Sequence, residues 1–278
     1  MFFTLAVARY QRMTGPTYPV DGMSTIGGNS FKYELTRTHD TGKDQLVEVI
    51  FPDNEVSGKV LWKRYKFDEA PHLLSMKRHG DTLRTHLPSQ PPAGKLEYQL
   101  RFTNGNETIT IPDEPVITRF KGHVPMRVLL PHILFMFAGL MLSARTALGA
   151  ILNGRIQTLA WITLGLLTVG GLILGPVVQK YAFDAYWTGW PFGEDLTDNK
   201  TAVMVIVWLI ALWIMRGKAG DSRGRWWAVA AMVVTFAVYL IPHSMRGSEL
   251  DYSNIAIDTV KTQSDSLLPT SSDDSVSP

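Results

Sequence analysis

Six side chains in and around the long apolar region of this sequence have the chemistry to hold a metal ion or a haem at one level. His132 and His243 each follow a proline and lie near the two ends of a long apolar region. Asp184, Glu194, Asp195 and Asp198 sit between them, in and around the stretch "YWTGWPFGEDLTDNKT" at 186–201. Imidazole nitrogens ligate haem iron and, together with carboxylates, divalent ions. His132 falls just inside the first apolar run and His243 just beyond the last, so both are expected at one membrane interface. Ionisable groups at membrane depth mark functional sites by default. One expectation is therefore a haem b or a divalent metal held by His132 and His243, with the four acids as further ligands or as supports for them. The other is that both histidines are interfacial residues satisfied by backbone or lipid headgroups, since neither lies deep and no ligand motif surrounds them.

The 186–201 stretch also has a purely structural account. Gly189, Pro191 and Gly193 suit tight turns, and Trp187 and Trp190 suit the headgroup level. Asp195 or Thr197 can cap the helix that follows, and acids suit its positive end. That account leaves one thing over, the density of acids beside His132, His243, Arg246 and Glu249. A site at the junction of the apolar region and the domain before it is the functional expectation.

Other candidates are thinner. His72, His79 and His86 recur every seven residues around a turn at "HGD", where only His72 and His86 are expected to meet, as a two-histidine zinc site. Gly171 and Gly175 form G-x-x-x-G, the spacing of closely packed membrane helices. The sequence has no Ser-His-Asp spacing, P-loop, dinucleotide fingerprint or HExxH helix. The absence of cysteine excludes disulfides, iron–sulfur ligation and thiol catalysis. A net charge of +2, with no basic stripe, argues against nucleic acid as a partner.

The elements that must position these residues are of two kinds. Residues 128–152, 158–178, 201–215 and 226–241 are four strongly apolar runs with aromatics at their ends, and four transmembrane helices are expected. The joint after the first carries Arg145 and Arg155, and the joint after the third carries Arg216, Lys218, Arg223 and Arg225 against Asp221. The middle joint has Lys180 and Lys200 against four acids. Positive loops stay inside, so the 186–201 stretch, the preceding domain and the C-terminal tail are expected outside the cytoplasm. The predicted location is a bacterial inner membrane. Residues 1–15, too short an apolar segment to span, are read as the remnant of a signal anchor. The acidic tail of 251–278 is expected to be disordered from about residue 261.

Between 16 and 125 the pattern changes to period two. Leu96, Tyr98, Leu100 and Phe102 face one way, and Lys95, Glu97, Gln99 and Arg101 the other. Strands are likewise expected at 31–36, 45–51, 59–65, 73–78, 82–87, 107–111 and 115–120, separated by Gly, Pro, Asn and Asp clusters. Such spacing indicates a β-sandwich. "LRTHLPSQPPAGKLEYQLRF" resembles the late strands of fibronectin type III and immunoglobulin-like domains, which implies that fold and no activity. "QRMTGPTYP", "WTGWPFGEDLTDNKT" and "PHSMRGSELDY" resemble a family of bacterial polytopic membrane proteins to which no activity is assigned. The functional expectation is an integral membrane scaffold or assembly protein, its β-sandwich meeting an extracytoplasmic protein partner. The alternative is the haem- or metal-binding redox protein built on His132 and His243, and residues 126–250 form the expected four-helix bundle in the bilayer.

Overall fold

Alternating apolar residues pair into sheets, and continuous apolar runs coil into helices, so the chain divides where its periodicity changes. The computed structural model describes residues 2–51, 53–216, 222–241 and 248–253. A first helix, α1 (Phe2–Thr14), precedes ten strands. These are β1 (Val20–Ile26), β2 (Asn29–Leu35), β3 (Thr38–Asp40), β4 (Gln45–Ile50), β5 (Ser57–Arg64), β6 (His72–Ser75), β7 (Lys77–His79), β8 (Thr82–Leu87), β9 (Lys95–Asn104) and β10 (Glu107–Lys121).

The strands form three sheets: β1-β2, β3-β10-β9-β5-β6 and β4-β8-β7. Gly27 and Gly28 close the first hairpin at φ of 57° and 76°, the left-handed pair that a two-residue hairpin turn needs. β9 is the spine of the largest sheet, antiparallel to both β5 and β10. The period-two faces project into one core built from all three sheets, with Phe31 and Leu35 from the first, Leu100 and Phe102 from the second, and Val49 and Leu83 from the third.

Sequence and structure differ here in informative ways. The runs expected at 107–111 and 115–120 are one strand, β10, whose register with β9 shifts between Ile111 and Val116. The run expected at 73–78 is two strands, because the chain changes sheets at Met76: β6 joins β5, whereas β7 joins β8. β1 and β3 were not expected; β1 is held by the Gly27–Gly28 hairpin to β2, and β3 by the distant β10, rather than by a strong pattern of their own.

Beyond β10 the helices begin. They are α2 (Met126–Ile151), α3 (Gln157–Leu167), a π-helical stretch (Thr168–Leu174), α4 (Gly175–Phe183), α5 (Leu196–Met215) and α6 (Ser222–Leu240). α3, the π-helical stretch and α4 run on as one apolar rod, Gln157–Phe183. Three helices are long and apolar enough to cross a membrane, Met126–Ile151, Gln157–Phe183 and Leu196–Met215, and a shorter apolar helix, Gly224–Leu240, packs against α2 and α5. Their shared core includes Leu140, Leu167, Trp208, Ala211, Ala228 and Ala231. Two polar side chains inside it are satisfied by one chain of bonds: Trp208 Nε1 donates to Thr235 Oγ1 at 3.1 Å, and Thr235 donates to Ala231 O at 2.7 Å. The G-x-x-x-G glycines mark a close approach at one position. A Cβ on Gly171 would collide with Thr201 Cγ2 of α5, whereas Gly175 has room.

The two regions meet at one end of the helices. Only residues 122–125 separate β10 from α2, and Gly122 N donates to Ala182 O at 2.8 Å. At the far end Arg225 Nη1 donates to Gly154 O at 3.1 Å, joining the two basic joints. His243, Arg246 and the tail from 254 onward lie outside the described residues.

Candidate functional site

The turn between α4 and α5 carries acids for a local reason that long-range contacts then exploit. α4 ends at Asp184 in the left-handed conformation, and α5 begins with Asp195 as its N-cap, whose Oδ1 accepts from Thr197 N at 2.7 Å. Capping uses one oxygen of Asp195. The other accepts from Thr188 Oγ1 at 3.0 Å and from Ser248 N at 3.3 Å. Asp198, one turn further, turns back to accept from Thr188 N at 2.7 Å and Gly189 N at 3.0 Å. Asn199 Oδ1 accepts from Trp190 N at 2.8 Å. The particular composition of 186–201 is thus a loop whose backbone amides are held by the first turn of the helix it leads into.

Of the four acids singled out, the structure brings Asp195 and Asp198 together and buries both. Asp184 is on the surface, paired with Lys180 at 2.7 Å, and Glu194 is exposed. The local cap was legible. The partners Gln179 and Ser248 were not: Gln179 Nε2 donates to Thr188 Oγ1 at 2.7 Å and to Ser248 Oγ at 3.2 Å. A lone Gln at the end of an apolar run was the available signal, since a polar amide buried there needs partners.

His132 lies two turns into α2. Its Nδ1 is 2.8 Å from Gly170 O, and because a carbonyl can only accept, Nδ1 donates and Nε2 remains for other use. The partner carbonyl belongs to the π-helical stretch, where the altered backbone pitch offers it sideways; such bulges recur at functional sites. His132, Gln179, Asp195, Asp198 and Thr201 line one cavity of about 370 Å³ between α2, α4 and α5. His132 therefore shares a cavity with the two buried acids. Among the described residues, no group of three or more His, Asp and Glu is placed to hold a metal.

The zinc expectation for His72 and His86 assumes one hairpin, and the structure divides that hairpin between two sheets. The change of sheet at Met76 puts His72 in the five-stranded sheet, stacked on Trp62 with ring centroids 4.6 Å apart, and His86 in the three-stranded one, opposite Leu46.

A second polar cluster lies where the chain returns from the helices to the β-rich region. Leu250 N donates to Ala93 O at 3.2 Å. Glu249 receives Lys95 Nζ on one oxygen and Lys66 Nζ on the other, each at 2.7 Å. Tyr252 OH accepts from Lys95 N at 3.0 Å and shares its own proton between Gln90 Oε1 and Lys95 O. Period two assigned Lys95 to the solvent face of β9; the returning segment covers that face and buries it. Burial pushes the Tyr252 hydroxyl up to about 12. Burial, together with the charge of Arg119, pulls the Lys95 ammonium below its ordinary value, with Glu249 opposing. For Glu249 burial pushes upward, but the hydrogen bonds and charges of Lys66 and Lys95 outweigh it and hold the carboxyl below the usual range. A carboxyl with a depressed folded value lends stability that is complete above its unfolded value and is lost as pH falls through the folded one. Acidification below about pH 4.5 is therefore expected to loosen residues 248–253 from β9, read as lower protection factors for the Leu250 and Lys95 amides, after correction for intrinsic exchange, than at pH 7. Equal protection at both pH values would show that the pair contributes nothing.

Scanned against models of known protein families, the chain matches none, and no curated protein matches its sequence.

Proposed function

We propose that this protein is an integral membrane scaffold or assembly factor of a bacterial inner membrane. In this reading the β-rich region is an immunoglobulin-like sandwich outside the cytoplasm, the helices form a four-span bundle with α6 as the fourth span, and the sandwich meets a protein partner. The observation that carries it is the return of the chain after α6 to the strand β9, where Glu249 and Tyr252 fix it. With Gly122 bonded to Ala182 as well, the β-rich region is tied to the helices at two points and is presented at a fixed angle. Fixed presentation serves docking; a tethered domain on a free linker would not need it.

Orientation rests on the basic joints, which lie together at the far end of the helices through the bond from Arg225 to Gly154. Reporters fused after Asn153 and after Gly220 are expected to read cytoplasmic, and one within 188–198 to read extracytoplasmic. A cytoplasmic signal from the last would overturn the orientation. For the docking role, a photocrosslinker at the exposed Ile50 or Leu73 of the β-rich region, in the full chain in its own membrane, is expected to give one adduct of defined mass. If both positions yield only the diffuse background given by the exposed Phe192 of the 186–201 loop, the scaffold reading is wrong.

A further inference from the structure

The cavity shared by His132 and Asp198 has a polarity gradient along the helices. From α2 it takes His132, Met136 and Leu140, one face of the helix over about 12 Å. From α5 it takes only Thr197, Asp198 and Thr201, all in the first two turns, with the N-cap Asp195 beside them. α2 and α5 both start at the end of the helices that abuts the β-rich region. Polar groups therefore gather at that end, and Met136, Phe137 and Leu140 form the deep wall. Ile133, 39% exposed, lines the cavity and also reaches the outer surface of the helices, the surface that a membrane placement turns toward lipid. The volume of about 370 Å³ is in the range of small-molecule sites, and the lining is apolar with a few convergent polar groups, as such sites are.

The molecules that share this gradient, polar at the interface and apolar inward, are the lipids of the adjoining leaflet. The polar end narrows the headgroup. Asp198 offers a carboxylate and His132 an Nε2, both acceptors when the ring is neutral. Asp195 is balanced by the nearby charges of Arg119 and Lys200. Asp198 forms no ion pair among the described residues; its Oδ2 accepts from two backbone amides and its carboxylate also receives the Gln179 amide, which leaves lone pairs for one further donor. A headgroup that donates hydrogen bonds, and above all one that carries positive charge, complements it. We propose that this cavity binds one membrane lipid of the leaflet next to the β-rich region. One chain lies against Met136, Phe137 and Leu140, and an ammonium- or hydroxyl-bearing headgroup lies at Asp198 and His132. The proposal rests on the membrane placement proposed above and is independent of the scaffold role.

The test uses the full chain, reconstituted with equal amounts of phosphatidylethanolamine, phosphatidylglycerol and phosphatidylcholine, stripped stepwise with detergent and weighed by native mass spectrometry. One lipid per chain is expected to remain, with phosphatidylethanolamine about tenfold over phosphatidylcholine, which has no donor, as one charge-assisted hydrogen bond would give. Enrichment of phosphatidylglycerol to the same degree assigns the selectivity to any donating head; enrichment of phosphatidylethanolamine alone assigns it to a head that both donates and carries positive charge, since phosphatidylcholine has the charge without the donor. Asp198→Asn is expected to bring the ratio of phosphatidylethanolamine to phosphatidylcholine close to one. Gly175→Leu is expected to abolish retention, because a Cβ there meets only ordinary contacts, Gly170 O at 3.8 Å and His132 Cε1 at 3.9 Å, and the rest of the side chain enters beside His132. This variant leaves the bonds of Asp198 untouched and tests the cavity even where Asp198→Asn fails to fold. Equal retention of phosphatidylcholine by the unaltered chain, or a lipid still held by folded Gly175→Leu, overturns the proposal.

Discussion

Replacing Phe102 by alanine is expected to destabilise the β-rich region by about 3–5 kcal/mol, the range for removing a buried phenyl ring. The side chain is fully buried. Its ring lies 5.5 Å from that of Phe31 and 4.7 Å from that of Phe51, so one side chain of the five-stranded sheet holds β2 and the end of β4. Gly58 on the neighbouring β5 leaves no slack to fill the hole: a Cβ there would already be 2.9 Å from Phe102 Cε1, so the backbone of β5 is pressed against the ring. A domain of this kind is stable by only about 5–15 kcal/mol, so the loss is a large part of the whole. The measurement is chemical denaturation of the full chain in detergent, followed by proteolysis within the β-rich region. Phe192→Ala, at an exposed ring, is the control and is expected to be silent. Equal midpoints for the two variants would mean that the three sheets do not share the core described.

Glu249→Gln is expected to cost about 2 kcal/mol, less than the about 3–5 kcal/mol for breaking a fully buried pair, because Glu249 keeps contact with water. The cost falls on Lys95. Its side chain is only 8% exposed, and without Glu249 its ammonium is left beside the like charge of Arg119. Lys95→Met alone removes the buried charge and leaves Glu249 its second partner, Lys66. The double variant is expected to be more stable than Glu249→Gln alone, since an apolar group can replace a buried charge at little cost. A double-mutant cycle read by the same denaturation separates the cases. Strict additivity would show that the two residues do not interact, and the tie between the returning segment and β9 would then rest on Tyr252.

The contrast between these two sites shows what the sequence by itself determines about this protein. Side-chain alternation in 95–102 and the apolar runs from 128 onward are local signals, set by the periods of strand and helix. They sufficed to find β9, the buried face that carries Phe102, and the three long apolar helices. The cap at Asp195 is equally local, three atoms of chemistry within three residues. Pairings across long loops leave no such trace. Lys95 and Glu249 are 154 positions apart, and nothing in the alternation of β9 says that its first outward residue will be covered. The break of 72–79 between two sheets is also a tertiary outcome: the register of β6 on β5 and of β7 on β8 is decided by the core those strands bury, and it puts His72 and His86 in different sheets. The π-helical stretch belongs to the same class. Its residues read as uninterrupted helix, and only the folded chain shows the backbone widening beside the close approach of Gly171 to Thr201 and the bond from His132 to Gly170. Periodicity fixes which face of an element is buried; which distant polar group meets that face is decided by topology, because only the folded chain brings the two within bonding distance.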